Sequence, residues 1–440
     1  MEKPNSQSSL DCWIDWLLNL HAEEIDLGLE RVSLVANKMQ VTRPAPLVVS
    51  IAGTNGKGSS VAMLSAILEQ AGYKVGTYTS PHIVSFTERV KINSQSVSAQ
   101  MIVDAFDLIE GQRSDIKLTY FEFSTLAALT IFNQSDLDVV VLEVGLGGRL
   151  DAVNTVDADA CLISAIDIDH IEWLGSDRNV IAVEKAGIMR KNAIAVCSDA
   201  TVPATLVDYA QQLGAKLSLL DRDYRYVQIK KNTEDSSQVG ENTWLFQSSQ
   251  SEQSLELPLP ALKGEFQLQN AAGVLELLLQ ISDKWPVSVE AIKQGLLSVK
   301  HPGRMELRQL NDQAWLIDVA HNPQSAQALA QTLQQEDLKT KRVAIFSALS
   351  DKDMLPMVKE VKPFVSQWLI SDLAIPRSTS INGLKEMLLA AGIGEESITE
   401  CSTIAQAVEK TLGMPSKKVL VWGSFFTVAQ AIEKIEGLDV

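Results

Sequence analysis

The 440-residue chain predicts an α/β fold of two parallel sheets in two domains, and three observations carry that reading. Short apolar runs alternate with stretches of helical periodicity, the pattern of buried strands covered by helices. A second such series begins after a Pro-Gly interruption near residue 300. Hydrophobic residues make up 46% of the chain and aromatic ones 6%, enough apolar surface at this length for more than one core.

The first series starts at Leu47. LVVSIA reads as a strand, SSVAMLSAILEQAG as the helix after it, and KVGTYTS, LDVVVLEVG and ACLISAID as later strands. Residues 231–256, KNTEDSSQVGENTWLFQSSQSEQSLE, are rich in Ser, Gln and acids and read as exposed hairpins or a surface loop without a function. His301-Pro302-Gly303 breaks a helical pattern and divides residues 1–300 from 301–440. Beyond it WLIDVA, RVAIFSAL, QWLISDLA and KKVLVWGS read as strands, with helices from Gln324, near Met354 to Val361, and over FFTVAQAIEKI. No internal repeat is visible. Both halves look doubly wound, so a cleft between two α/β domains is the expected binding site.

Charge narrows the partners. With 38 Lys+Arg against 55 Asp+Glu, the net charge of -17 repels nucleic acid and anionic membrane surfaces. An anionic ligand must therefore be met by concentrated local donors. Cys12, Cys161, Cys197 and Cys401 form no C-x-x-C pair, which argues against a disulfide framework or thiolate zinc site and for a reducing cytoplasm. Asp11 and Asp15 interrupt the apolar N-terminal stretch, which fits neither a signal peptide nor a membrane span.

IAGTNGKGSSV, residues 51–61, places a glycine turn between a strand and a helix. It departs from the common nucleotide loop G-x-x-x-x-G-K-[ST], because Ile51 and Gly58 stand where glycine and a hydroxyl are required. Its context still suits an anion: the N–H groups of residues 53–59 can converge at a helix N-terminus, and Lys57 adds a charge for the outer phosphates. A structural glycine turn with an incidental lysine is the alternative. Ser59 is either a magnesium ligand or a helix cap. Glu143, at the end of VVVLE, is either a hard oxygen ligand for magnesium or a solvated strand-end acid. His82, His170 and His321 each follow an apparent strand and together mark strand ends as the working face. Lys185, read locally, pairs with a neighbouring acid on its helix. Arg304 and Asp318 flank the entrance to the second domain, as cleft residues or as a salt bridge.

Three function classes compete. An ATP-dependent ligase fits the loop and the two domains. A nucleotide switch is weakened because Asn37-Lys38-Met39-Gln40 lacks the aspartate that guanine recognition needs. A dinucleotide oxidoreductase ranks last, since GTNGKG does not fit G-x-G-x-x-G.

GTNGKGS, TYTSPHIVSFTERV, LEVGLGGRLDAVN, DIDHIEWLG, EKAGI, HPGRME, IDVAHNP and WGSFFTVA occur in one order. In that order they resemble the folylpolyglutamate synthase and dihydrofolate synthase family, relatives of the Mur ligases, from about Ile25 to the C-terminus. The resemblance implies a P-loop-type parallel-sheet ATPase domain over residues 1–300 and a smaller Rossmann-like glutamate-ligase domain over 301–440. It implies ATP on Gly53, Thr54, Asn55, Gly56, Lys57, Gly58 and Ser59, with Asn270 at the adenine and Arg304, Asp318 and His321 contacting the nucleotide. One Mg²⁺ falls to Ser80 and Glu143, and a second to His170 and Lys185, the lysine being commonly carbamylated in the family. Lys57, His170, Lys185 and His321 are the implied catalytic residues.

The implied reaction phosphorylates a pterin-substrate carboxylate with ATP and joins the acyl phosphate to L-glutamate. GGRLDA, Gly147 to Ala152, and the TYFE segment favour the bifunctional type. That type makes dihydrofolate from dihydropteroate and also extends reduced folates; a monofunctional folylpolyglutamate synthase is the alternative. His82, Phe121, Asp151 and Ala152 are the implied pterin-side residues, and Ser424 a glutamate contact. Phe121 can stack on the pterin ring or pack in the core, and Asp151 can bind the pterin edge or cap a turn. A cytoplasmic monomer without nucleic-acid or membrane partners completes the expectation.

Overall fold

The computed structural model describes residues 3–21, 25–229, 243–251, 253–335 and 341–438. They form two compact units. The first comprises the described residues of Met1–His82, Phe86–Ala261 and Leu268–Val299; the second takes in Ile83–Ser85, Leu262–Gln267 and the described part of Lys300–Val440.

The first unit is built on eight strands: β1 Leu47–Ala52, β2 Val75–Tyr78, β3 Val90–Ile92, β4 Gln95–Ser96, β5 Val139–Glu143, β6 Ala160–Ile163, β7 Ile194–Cys197 and β8 Lys216–Leu219. Their order is β4-β3-β2-β5-β1-β6-β7-β8, parallel from β2 to β8, with β3 and β4 antiparallel at one edge. Both faces of β1 and β5 are buried, which is why they read as unbroken apolar runs without alternation. The edge hairpin turns on Asn93 and Ser94, both at positive φ (48° and 60°), as a two-residue hairpin loop requires.

The reading of residues 231–256 as hairpins or a loop is only partly met. Residues 231–242 and 252 lie outside the described residues. Of the rest, β10 Thr243–Ser248 is the middle of an antiparallel sheet between β9 Tyr224–Ile229 and β11 Leu255–Pro258. Trp244 and Phe246 on alternate positions of β10 are buried, and the Trp244 indole N–H donates to the Pro258 carbonyl at 2.9 Å. Serine-rich flanks concealed this period-two apolar face.

The second unit carries β12 Glu306–Leu310, β13 Gln313–Ile317, β14 Arg342–Phe346, β15 Val365–Ile370, β16 Ile398–Glu400 and β17 Lys418–Trp422, in the order β12-β13-β17-β14-β15-β16. All pairs are parallel except β12 with β13. Phe346, Trp368 and Trp422 fill one side of this sheet, with ring centroids 4.7 to 6.2 Å apart. Trp315, Ile345, Val421 and Val428 belong to a second core. Helices Pro323–Gln335 and Met354–Val361 follow β13 and β14, as the sequence predicts.

In the first unit, helix Lys57–Gln70, which follows β1, packs closely on helix Val289–Ser298. A Cβ added at Gly295 would lie 2.6 Å from the Ile67 Cα and 2.7 Å from its backbone nitrogen, so nothing flexible can give way. Gly295→Ala is expected to destabilise the protein by about 1–3 kcal/mol in denaturant unfolding. Unchanged stability would mean that the two helix backbones can separate freely.

Candidate active site

Strand order places the site. β1 lies between β5 and β6, pairing Ile51 with Glu143 and Ala52 with Ile163, so three loops leave the same sheet edge side by side. The central loop is the glycine turn. Thr54 N–H donates to the Ala165 carbonyl at 2.7 Å, and the Thr54 hydroxyl donates to the Asp167 carbonyl while accepting the Asp167 N–H, both at 2.9 Å. The Ser164 hydroxyl donates to the Asn55 carbonyl at 2.8 Å. The turn needs glycine where it bends: Gly56 has φ of 92°, and a Cβ there would collide with the Asn270 amide. Gly56 caps helix Lys57–Gln70 without a side-chain acceptor, and no acid occupies the first helical turn. The start of this helix therefore suits a bound anion. Gly58 and Ser59 are buried on the helix, and Asn270 is buried against the turn.

Two ammonium groups meet one carbonyl in this turn. Lys57 Nζ donates to the Gly53 carbonyl at 3.1 Å and the Thr54 carbonyl at 3.2 Å, and Lys185 Nζ donates to Gly53 at 2.9 Å. Lys185 does not pair with its neighbouring acid: Glu184 binds Arg149 at 2.7 Å, and Lys185 points the other way, 3% exposed. Burial, then the nearby Lys57, pushes the Lys185 amine down to about 7, against the opposing pull of Asp169 and Asp151.

Glu143 is 4% exposed, so the solvated alternative fails; its Oε2 accepts the Ser80 N–H at 3.2 Å. Glu143 thus adjoins Ser80 just beyond the ends of neighbouring strands β5 and β2, and a carboxylate with a serine hydroxyl is a donor set that suits a hard cation. His170 is exposed, has a left-handed backbone (φ 53°) and starts helix Ile171–Leu174, with its N–H on the Asp169 carboxylate at 2.8 Å. Among the described residues no group of three or more His, Cys, Asp or Glu could hold a metal.

The residues that the family resemblance assigns to the pterin lie on the next elements. TYFE is a helix start: Thr119 caps helix Tyr120–Asn133 in a capping box with Glu122, the two bonds being 2.7 and 3.2 Å. This fixes Phe121, half-buried, against Gly145, where a Cβ would lie 2.6 Å from the ring. Asp151, 2% exposed, accepts the Leu146 and Val153 N–H groups at 2.9 and 3.0 Å and caps the short turn Ala152–Thr155, in which Ala152 is buried. Burial raises its carboxyl to about 6 despite those bonds and Lys57. His82 accepts from Arg89 Nε on Nδ1 at 2.8 Å, and burial followed by Arg89 lowers it to about 4, so it is neutral with its proton on Nε2. Arg89, buried over the Phe86 and Tyr120 rings, was not anticipated from the sequence; TERV gave no signal for it.

In the second unit Arg304 and His321 both face the Phe425 ring, at 5.3 and 5.5 Å. His321 Nδ1 lies 2.8 Å from the Val319 carbonyl. Asp318 accepts the Met305 and Ala320 N–H groups at 2.9 and 2.8 Å, and burial raises its carboxyl while Arg304 opposes. Ser424 caps helix Phe425–Glu436 and is buried, its oxygen taken by Thr427 N–H at 3.0 Å and shared with the Thr427 hydroxyl at 2.7 Å. Phe425 is the residue the sequence reading missed here, although WGSFF contains it.

A strand-end glycine turn with its lysine, a carboxylate on the neighbouring strand and a separate Rossmann-like unit define a nucleotide-dependent α/β ligase. Residues 51–278 match the Mur ligase middle domain, and residues 303–425 match the Mur ligase glutamate ligase domain. The chain is 40% identical over 434 residues to the dihydrofolate synthase/folylpolyglutamate synthase of Escherichia coli K12, covering 98% of this chain and 97% of that one. It matches the structure of E. coli FolC in complex with DHPP and ADP with a TM-score of 0.90 and 39% identity, covering 100% of both chains. A crystal structure of bifunctional folylpolyglutamate synthase/dihydrofolate synthase with Mn, AMPPNP and L-glutamate bound gives 0.87 and 38%, covering 99% of this chain and 100% of that one. The chain belongs to the Mur ligase family, in its dihydrofolate synthase/folylpolyglutamate synthase branch.

Folded Lys185 releases its proton near pH 7, whereas the unfolded chain holds it to about 10.5. Between those values the unfolded state binds the extra proton, so rising pH favours the folded state. In metal-free protein, Lys185→Met is therefore expected to flatten the rise in stability between pH 7 and 10.5 relative to wild type. Parallel stability curves would show that Lys185 keeps an ordinary pKa.

Proposed function

We propose that this chain is a bifunctional dihydrofolate synthase and folylpolyglutamate synthase. It joins the amine of L-glutamate to a dihydropteroate or reduced-folate carboxylate through an acyl phosphate, at the expense of ATP. The observation that carries this reading is the pair of lysine side chains, Lys57 and Lys185, on the Gly53 carbonyl, at the start of a helix and beside Glu143. A carboxylate resists amide formation until its oxygen becomes a leaving group. The γ-phosphoryl group passes from ATP to that oxygen and ADP leaves. The neutral glutamate amine then attacks the acyl carbon, the C–O bond to phosphate breaks, and inorganic phosphate and the amine's proton depart.

In this reading the turn Gly53–Ser59 cradles the phosphates, Asn270 lies at the base, and Lys57 leaves its loop carbonyls for the transferring phosphoryl group, where it neutralises developing charge. Ser80 and Glu143 would hold one divalent cation, and His170 with Lys185 a second; bound metal would supply charge neutralisation during phosphoryl transfer. An ammonium cannot ligate a cation. Lys185, buried with its pKa lowered to about 7, offers a neutral amine that combines with CO₂ to give a carbamate, an anionic oxygen ligand. Phe121 stacks on the pterin, Asp151 and Ala152 shape the polar edge, and neutral His82 donates from Nε2. In the second unit Arg304 and His321 are the residues for nucleotide contact, Asp318 orders the Met305 and Ala320 backbone, and Ser424 contributes to glutamate recognition. Free cysteines support a cytoplasmic setting, and we read the chain as a monomer. No helix among the described residues is long and apolar enough to cross a membrane.

Purified protein with ATP, Mg²⁺ and labelled glutamate is expected to glutamylate both dihydropteroate and a reduced folate, and Glu143→Ala to abolish both while remaining folded. Labelling of the reduced folate alone would leave a monofunctional folylpolyglutamate synthase. Protein equilibrated with ¹³C-bicarbonate is expected to show a carbamate carbon signal that Lys185→Arg removes; its absence from wild type would eliminate the carbamate.

A further inference from the structure

Helix Arg178–Ala186 begins with an arginine the proposed reaction does not use and has Lys185 near its end. Arg178 lies two helical turns before Lys185, at about 3.6 residues per turn, and so on the same side of the helix. Its guanidinium donates in three directions: Nε to the Ile166 carbonyl at 2.7 Å, Nη2 to Asp199 Oδ1 at 2.7 Å, and Nη1 to the Thr201 carbonyl at 2.8 Å. Asp199 is buried at the end of β7, and its other oxygen accepts the Ile166 N–H at 2.6 Å. The ion pair therefore takes both backbone groups of a single residue, Ile166, closing a ring from Ile166 N–H through Asp199 and Arg178 to Ile166 C=O.

Ile166 is buried and stands four positions before His170, in the loop leaving β6. At the opposite end of the helix, Lys185 Nζ is tied to the Gly53 carbonyl at 2.9 Å. One ion pair thus sets the register between the loop that carries His170 and the helix that carries Lys185. Three different guanidinium nitrogens reach these acceptors, a spread that the single nitrogen of a lysine ammonium does not span.

We propose that Arg178 and Asp199 are positioning residues for the His170–Lys185 cation site, acting through the Ile166 peptide. This rests on the assignment of a second cation to His170 and Lys185. Groups that orient ligands without touching the ion typically change metal affinity about 10- to 100-fold when replaced. A salt bridge that served only the fold would lower thermal stability and leave metal affinity alone.

The test is a Mn²⁺ titration followed by electron paramagnetic resonance, on the full chain with a non-hydrolysable ATP analogue, well below the melting temperature. Wild type is expected to bind two ions per chain and His170→Ala one. Arg178→Lys and Asp199→Asn should retain one ion at wild-type affinity and bind the other about 10- to 100-fold more weakly. The double variant should be no worse than the weaker single one, since both act through one peptide. Two ions at wild-type affinity in both folded single variants would overturn the proposal. If either variant fails to fold, Thr201→Val removes only the hydroxyl that accepts from Arg178 Nη2 at 2.9 Å. Weakening confined to the second ion then supports the proposal, and unchanged binding overturns it. If His170→Ala still binds two ions, the His170–Lys185 assignment itself fails, and the proposal falls with it.

Discussion

A single backbone oxygen, the Gly53 carbonyl, holds two lysine side chains at 2.9 and 3.1 Å in a chain whose net charge is -17. Burial disfavours a charged amine at Lys185 first, and the neighbouring Lys57 adds repulsion. Lys185 responds by losing its proton readily. The acidic surface makes this local concentration of positive charge more selective. Nothing in the mean field attracts a phosphate, so the turn must do so.

Topology explains why those groups meet. β1 is flanked by β5 and β6, so the glycine turn emerges between the strand that ends in Glu143 and the loop that leads to His170. Ser164 and Thr54 fasten the turn to that loop, and the Arg178–Asp199 pair fastens the loop to the helix that delivers Lys185. The packing of helix Lys57–Gln70 against Gly295 holds the far side. Each connection is short-ranged in space and long-ranged in sequence.

That difference decides what could be read beforehand. β1, β5 and β17 were legible because strands buried on both faces are written as continuous apolar runs, and the glycine turn because its spacing sits between strand and helix. The β9–β11 sheet was not, since serine and glutamine surround its alternating Trp244 and Phe246. Glu143 was visible as a strand-end acid, but only structure shows it buried against Ser80. Lys185 shows the limit most clearly: local reasoning pairs it with Glu184, whereas Glu184 is taken by Arg149 and the lysine turns inward. Family resemblance, through EKAGI, pointed to a metal role that helix periodicity never could. Arg89, Phe425, Arg178 and Asp199 act through partners distant in sequence or through ring faces, and no local pattern announces them.

In the proposed reaction Lys57, held at Gly53, serves phosphoryl transfer to a substrate carboxylate. Hydroxylamine trapping tests it most directly. With ATP, Mg²⁺ and dihydropteroate but no glutamate, the account predicts a pteroyl hydroxamate from wild type and none from Lys57→Ala. Steady phosphate release from ATP without hydroxamate, or hydroxamate formation undiminished in Lys57→Ala, would contradict it.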